Sequence, residues 1–335
     1  MKDKTVSFSK HAKNVFFHIL TNCNLKCIHC YINPDQHGRK TLPLSTIELW
    51  LKEFISSNDE TNLVILGGEP TLHPELPSII KTARKIGYSS ITIDTNGYLF
   101  NDFLSKIEPE LVDYISFSLD GATKKINDLI RGDGSYDTCI AGVKKAVLKG
   151  FATSLIYTVN KLNIHEIKAV VPLLKDIGIK RFFIQVVGIR GKSFEKMQKN
   201  LQVFWEEWLD IIPDAASLAT SEGLIAVYPK VYLKKDEPFE CAGIAADNYF
   251  IFPNGRVYRC PICEDYPINS LEFNSEHKLI KTSKINEQDL FKLNIPEGCV
   301  MNKIIQPNNI PYDENGIPKL KIACCLLKQS FISPG

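Results

Sequence analysis

Neither sign of charge dominates this sequence: Lys and Arg total 40 against 38 Asp and Glu, a formal net charge of +2. That balance gives no electrostatic reason to expect nucleic acid or an anionic membrane as a partner. Long apolar runs are lacking too. No stretch approaches the roughly 18 consecutive apolar residues that a membrane helix needs. The opening Met1-Lys2-Asp3-Lys4-Thr5-Val6 has neither the apolar core nor the cleavage site of a signal peptide. No internal repeat or low-complexity segment occurs. A cytoplasmic protein is expected. With 335 residues, 44% of them apolar and 23% charged, the chain can bury a core without disulfide staples, as one large α/β barrel or as two domains.

What is present in quantity is cysteine. Ten of them in a compartment that keeps thiols reduced are metal ligands, catalytic groups or core residues before they are disulfides. Three lie at 23, 27 and 30, one stands alone at 139, and six fall between 241 and 325. Cys139, on a helical apolar face, reads as a small buried hydrophobe.

From about residue 15 to 188 short apolar runs alternate with amphipathic stretches. Val15–Thr21, Leu63–Gly67, Ser90–Thr95, Tyr114–Leu119, Ser154–Asn160 and Arg181–Val187 read as strands. Ile47–Ile55, Leu76–Ile86, Cys139–Leu148 and Ile164–Ile177 carry helical spacing. Six βα repeats predict a parallel sheet with helices outside it. Periodicity alone leaves an open doubly wound sheet and a partial barrel both standing. In either, the polar residues after the strands' carboxyl ends mark the site. A connecting helix is expected over 195–212, and the βα rhythm ends there. Cysteines and prolines then cluster, and Tyr249–Phe252, Pro253-Asn254-Gly255 and Arg256–Arg259 read as a β-hairpin. The expected division is a core at 1–194, the connector at 195–212 and a small Cys-rich domain at 213–335.

The strongest local signal is Cys23-Asn24-Leu25-Lys26-Cys27-Ile28-His29-Cys30, a C-x₃-C-x₂-C run after the first strand. A four-iron cluster takes four thiolates. Three leave one iron open to a non-protein ligand, and an open position is what activation of a bound molecule needs. A zinc knuckle using His29 or a distant residue is the alternative. A c-type haem site is excluded, because Tyr31 occupies its histidine position.

This run resembles the signature of the radical S-adenosylmethionine (SAM) superfamily. Gly67-Gly68-Glu69-Pro70 matches that family's second motif, and Ser116-Phe117-Ser118-Leu119-Asp120-Gly121 looks like the fourth-strand segment of its subgroup with extra clusters. The resemblance covers residues 15 to about 190 and implies a partial (β/α)6 TIM-like barrel. It implies that Cys23, Cys27 and Cys30 hold a [4Fe-4S] cluster whose fourth iron is chelated by SAM, and that reductive cleavage gives a 5′-deoxyadenosyl radical which abstracts hydrogen from substrate. Gly67 and Gly68 let backbone approach the SAM amino group, and Glu69 adds an anionic acceptor. Ser118 and Asp120, two apart, are expected to face the rim together and to suit ribose hydroxyls or the methionine carboxylate. Tyr31 is a candidate to stack on adenine and Arg131 to clamp a carboxylate. Thr158, Asn160 and Gln185 are weaker candidates.

Cys241, thirteen residues, Gly255, four residues and Cys260 resemble the opening of the SPASM or twitch auxiliary-cluster domains of the same superfamily. The rest of the full SPASM pattern is missing, and six cysteines exclude two four-cysteine clusters. One auxiliary iron–sulfur cluster is expected, with Cys241 and Cys260 joined by two of Cys263, Cys299, Cys324 and Cys325. Cys299 and Cys324 are the preferred pair, which leaves Cys325 as a hydrogen-donor thiol. Adjacent Cys324 and Cys325 are not both expected to point at one cluster. Cys260-Pro261-Ile262-Cys263 also has zinc-knuckle spacing.

The expected function is hydrogen abstraction from a small molecule or short peptide, ending in oxidation, epimerisation or crosslinking, with flavodoxin or ferredoxin as reductant. About fourteen residues precede the first strand, so no leader-peptide-binding domain is expected. The competing class is a non-catalytic iron–sulfur electron-transfer or zinc-binding protein.

Overall fold

The computed structural model describes residues 4–6, 12–56, 60–194, 201–306, 308–326 and 328–331. The six expected strands are present as β2 (Ala12–His18), β3 (Glu60–Leu66), β4 (Ser90–Thr95), β5 (Tyr114–Ser118), β6 (Thr153–Val159) and β7 (Arg181–Val186), preceded by a short β1 (Lys4–Val6). They pair in chain order, every neighbour parallel. Residues on one face, such as Val15, Phe17, Ile65, Ile93, Ile115, Leu155 and Phe182, are wholly buried under the helices. On the other face Phe16, Val64, Thr92, Asp94, Ser118, Ile156, Thr158 and Gln185 are only half-buried. That second face is the inside of a partial barrel, and it becomes polar toward the strands' carboxyl ends. Among the described residues no helix is long and apolar enough to cross a membrane.

The helical stretches also match: α2 (Leu44–Lys52), α3 (Leu76–Ile86), α5 (Ser135–Leu148) and α6 (Ile167–Asp176). A short α1 (Pro34–His37) follows the first cysteine loop, and α4 (Lys124–Arg131) follows β5. Cys139 is buried on α5, 1% exposed.

The barrel runs one unit further than the sequence pattern suggests. Residues 195–200 of the expected connector lie outside the described residues. The helix itself, α7, spans Trp205–Ser221, with Pro213 inside it. It leads into β8 (Ile225–Pro229), which pairs parallel with β7. Prolines that read as a loss of helix are thus tolerated within one.

The C-terminal region joins the same sheet from its other side. The expected hairpin forms as β10 (Asn248–Ile251) and β11 (Arg256–Tyr258), preceded by a short β9 (Tyr232–Lys234). β10 pairs parallel with β2 through Asn14↔Asn248 to Phe17↔Ile251. Antiparallel β12 (Leu271–Phe273) and β13 (Leu279–Lys281) extend the edge. β14 (Leu320–Ile322) pairs with β9, and β15 (Lys328–Phe331) lies between β1 and β8. Among the described residues the result is one 13-stranded sheet and a separate two-stranded one.

Trp50 of α2 fastens this extension to the barrel. Its ring stacks on Phe273 at 4.2 Å, and its Nε1 donates to His277 Nδ1 at 3.1 Å. Beside it Lys278 Nζ reaches Glu53 Oε1 at 2.9 Å. Trp50→Ala is expected to destabilise the protein by about 3–5 kcal/mol, the range for a buried tryptophan, with denaturant unfolding as the measurement. A loss under about 1 kcal/mol would show that the hairpin docks without it.

Candidate metal centre

Cys23, Cys27 and Cys30 are half-buried in the loop that leaves the carboxyl end of β2. The ends of several other strands clasp that loop. From β3, Gly68 N donates to Leu20 O at 3.0 Å and Glu69 N to Asn22 O at 3.0 Å. From β4, Asn96 Nδ2 donates to Asn24 Oδ1 at 2.8 Å. From the last turn of α4, Ile130 O accepts from Ile28 N at 2.9 Å, and Arg131 O lies 3.8 Å from Cys27 Sγ. After β7, Lys192 N donates to Cys30 O at 2.9 Å. Burial pushes the Cys23 thiol up to about 11 and raises Cys27. Both are protonated at neutral pH unless a metal displaces the proton.

The glycine pair is needed for packing. A Cβ on Gly68 would stand 2.2 Å from Asn22 O and 2.5 Å from Thr21 O, and one on Gly67 would stand 2.9 Å from Leu20 O. The backbone approach expected toward a cofactor is already made by the chain leading into Cys23.

Glu69, expected as an anionic acceptor, already accepts hydrogen bonds within the protein. It is buried, and its Oε1 accepts from Thr71 N at 3.0 Å, Thr71 Oγ1 at 2.5 Å and Thr95 Oγ1 at 2.8 Å. Its Oε2 accepts from Asn96 N at 2.7 Å. Four donors from two strand ends hold the carboxylate, which burial shifts upward. Glu69 ties β3 to β4 and thereby fixes Asn96 against the cysteine loop.

Asp120 departs from expectation. It does not share the rim with Ser118 but is fully buried. Its Oδ1 accepts from Thr158 N at 2.7 Å, while its Oδ2 meets Arg131 Nε at 2.6 Å and His29 Nε2 at 3.2 Å. Strand geometry stops at Ser118, so two-residue spacing no longer fixes the facing. Arg131 is buried as well and is paired inside the protein, where an external carboxylate clamp was expected. His29 is pulled down to about 4 by burial, with Asp120 opposing. Among the described residues no group of three Cys, His, Asp or Glu side chains is already drawn together as for a bound metal ion.

The remaining candidates divide. Ser118, Thr158 and Gln185 are half-buried on the inner face, and Asn160 is buried in the turn after β6, where its Oδ1 accepts from Leu162 N at 2.9 Å. Tyr31 has its hydroxyl 3.4 Å from His18 Nε2, and the Arg190 guanidinium caps its ring at 4.7 Å. His18 and Arg190 gave no motif signal, since each is a lone polar residue at a strand end.

The C-terminal cysteines gather around a second site. Cys241, Cys260, Cys299, Cys324 and Cys325 line one apolar pocket with Phe239, Phe291 and Met301. Cys241 and Cys299 each precede a helical turn, and Asn302 N donates to Cys299 Sγ at 3.4 Å. Burial pushes the Cys241 thiol up to about 12. Cys263 is fully buried but does not line the pocket. Cys324 and Cys325, adjacent in sequence, both line it. The donor set is all thiol within apolar walls, which suits a thiophilic iron–sulfur centre.

The sequence profile of the Radical SAM superfamily matches residues 18–174. Fe-coproporphyrin III synthase of Methanosarcina barkeri is 31% identical over 202 residues, 59% of this chain and 50% of that protein. The chain therefore spans about half the length of that relative. A "Probable GTP 3′,8-cyclase" of Saccharolobus islandicus is 26% identical over 264 residues, 75% of this chain and 83% of the relative. In fold, Streptococcus suis SuiB bound to S-adenosylmethionine matches with a TM-score of 0.63 at 15% identity, over 91% of this chain and 70% of that one. Native anSMEcpe with bound AdoMet gives 0.60 at 14%, over 91% and 85%.

Proposed function

We propose that this chain, whose residues 18–174 match the profile of the Radical SAM superfamily, is a radical SAM enzyme acting on a small molecule or short peptide. The observation that carries the proposal is the trio Cys23, Cys27 and Cys30, half-buried at the barrel mouth in a loop gripped from several strand ends. These three thiols would hold a [4Fe-4S] cluster and leave one iron for SAM. When bound, that pair supplies reductive cleavage of SAM and a 5′-deoxyadenosyl radical that takes hydrogen from substrate. The chain's own residues position and shield. Glu69 and Asn96 fix one side of the loop, Asp120 and Arg131 fix the other, and the inner-face Ser118, Thr158 and Gln185 offer hydrogen bonds to whatever enters.

The reading extends to an auxiliary iron–sulfur centre on Cys241, Cys260, Cys299 and Cys324. The all-thiol pocket supports it. The functional halves would then meet after β8, later than residue 213. Five thiols line the pocket, one more than a four-cysteine centre takes, and Cys325 is the proposed hydrogen donor. With Cys325→Ser, label from heavy water is expected to disappear from the product's C–H bond. A product two hydrogens lighter than substrate points instead to oxidation or crosslinking. Both substrate classes have relatives behind them: the names above specify a porphyrin and GTP, and SuiB has been solved with the precursor peptide SuiA.

The test is anaerobic reconstitution followed by incubation with SAM and dithionite. 5′-Deoxyadenosine is expected from the wild type, and at least a 100-fold loss, on the order of 3 kcal/mol in barrier terms, when Cys23, Cys27 and Cys30 are changed to Ala. Bound zinc, or a cluster that never cleaves SAM, would replace this reading with that of a metal-binding or electron-transfer protein.

A further inference from the structure

The turn that follows β7, Val187 to Lys192, touches the segments that carry Cys30, Cys260 and Cys299. Toward the first site, Lys192 N donates to Cys30 O. Gly191 has φ +54, and a Cβ there would stand 2.5 Å from Tyr31 O and 2.7 Å from Cys30 O, so the turn is pressed onto that peptide unit. Toward the second site, Arg190 Nη1 donates to Pro261 O at 2.7 Å and to Glu264 Oε1 at 2.5 Å, in the turn between and just after Cys260 and Cys263. Ile189 N donates to Ile305 O at 2.8 Å, and Val187 O accepts from Gln306 Nε2 at 2.6 Å, at the end of the helix that Cys299 begins. The same Arg190 guanidinium lies over the Tyr31 ring. The Glu264 side chain is 1% exposed and that of Arg190 14%, so the carboxylate end of the pair is out of water. Lysine's point charge could not reach both acceptors and cover the ring.

We propose that Arg190 is a positioning residue that holds the two thiol sites in one fixed geometry, its guanidinium bridging the Cys30–Tyr31 segment and the Cys260–Glu264 turn. The inference rests on the two-centre reading above. It assigns to a residue without a motif the task of setting how the cofactor end of the barrel faces the auxiliary site.

The experiment uses the full-length reconstituted protein as wild type, Arg190→Lys, the double variant Arg190→Gln with Glu264→Gln, and Arg84→Lys as a control. Arg84 is a half-buried arginine whose Nε donates to Leu111 O at 3.0 Å, far from both sites in its contacts. Iron content, the electron paramagnetic resonance of both reduced centres, and the SAM dissociation constant are read. In Arg190→Lys both spectra are expected to change line shape, and the SAM dissociation constant to rise on the order of tenfold. The double variant, which removes both members of the Arg190–Glu264 pair, is expected to do the same and supplies the comparison if the single variant does not fold. Arg84→Lys is expected to lower the melting temperature and leave both spectra alone. Unchanged spectra and SAM affinity in either Arg190 variant, or a change confined to one centre, overturn the proposal. Wild-type iron of only about four per chain, one cluster's worth, defeats the two-centre reading itself and takes this inference with it, a result visible before any variant is made.

Discussion

Asp120→Asn is expected to lower stability by about 3–5 kcal/mol, the usual cost of removing one partner from a buried ion pair, and to leave the folded fraction poor in iron. The carboxylate is fully buried, and its Oδ2 serves Arg131 and His29 together. Asparagine can keep its carbonyl oxygen on Thr158 N, but its amide nitrogen then faces Arg131 Nε, donor against donor. Arg131 is left charged and buried. Because Arg131 O and its neighbour Ile130 O hold Cys27 and Ile28, the disturbance passes directly to the thiols. Denaturant unfolding and iron per folded chain measure the two effects. Full iron with a loss below about 1 kcal/mol would mean that the ion pair does not support the loop.

Gly68→Ala is the second large effect. Its methyl would have to occupy space held by the backbone of Thr21 and Asn22, which cannot turn aside as a side chain can. A cost of about 3 kcal/mol, at the top of the overpacking range or beyond, is expected, with loss of 5′-deoxyadenosine formation as the cysteine loop is displaced. Gly67→Ala, facing a gap of 2.9 Å to Leu20 O, is expected to be milder. Wild-type iron and SAM cleavage in Gly68→Ala would show that the two loops separate freely.

The repetitive part of the fold was legible because each barrel strand is a short apolar run and each helix carries its own period; α3 matches Leu76–Ile86 to the residue. The first cysteine loop was legible because its ligand groups are close in sequence. What stayed hidden depends on partners far apart. Nothing local in Asn248–Ile251 says that its neighbour is β2, and the Pro213 region looked like the end of a rhythm that continues through β8. Glu69 and Asp120 were picked out as site residues, yet their inward bonds depend on Thr95, Asn96, Thr158 and Arg131, which only the assembled sheet brings together. Arg190 was invisible for the same reason, since a single arginine in a turn has no pattern.

The pairing of β10 with β2 also bears on how the chain is made. Asn14 and Asn248 touch across 234 intervening steps of sequence. At about 5–20 residues per second, a ribosome needs roughly ten to fifty seconds between delivering one edge and the strand that covers it. Over that interval the nascent protein presents an uncovered β edge, a template for wrong pairing, directly beside the three thiols of the first cysteine loop. The cradle for the metal is thus among the first parts synthesised and among the last to be walled in.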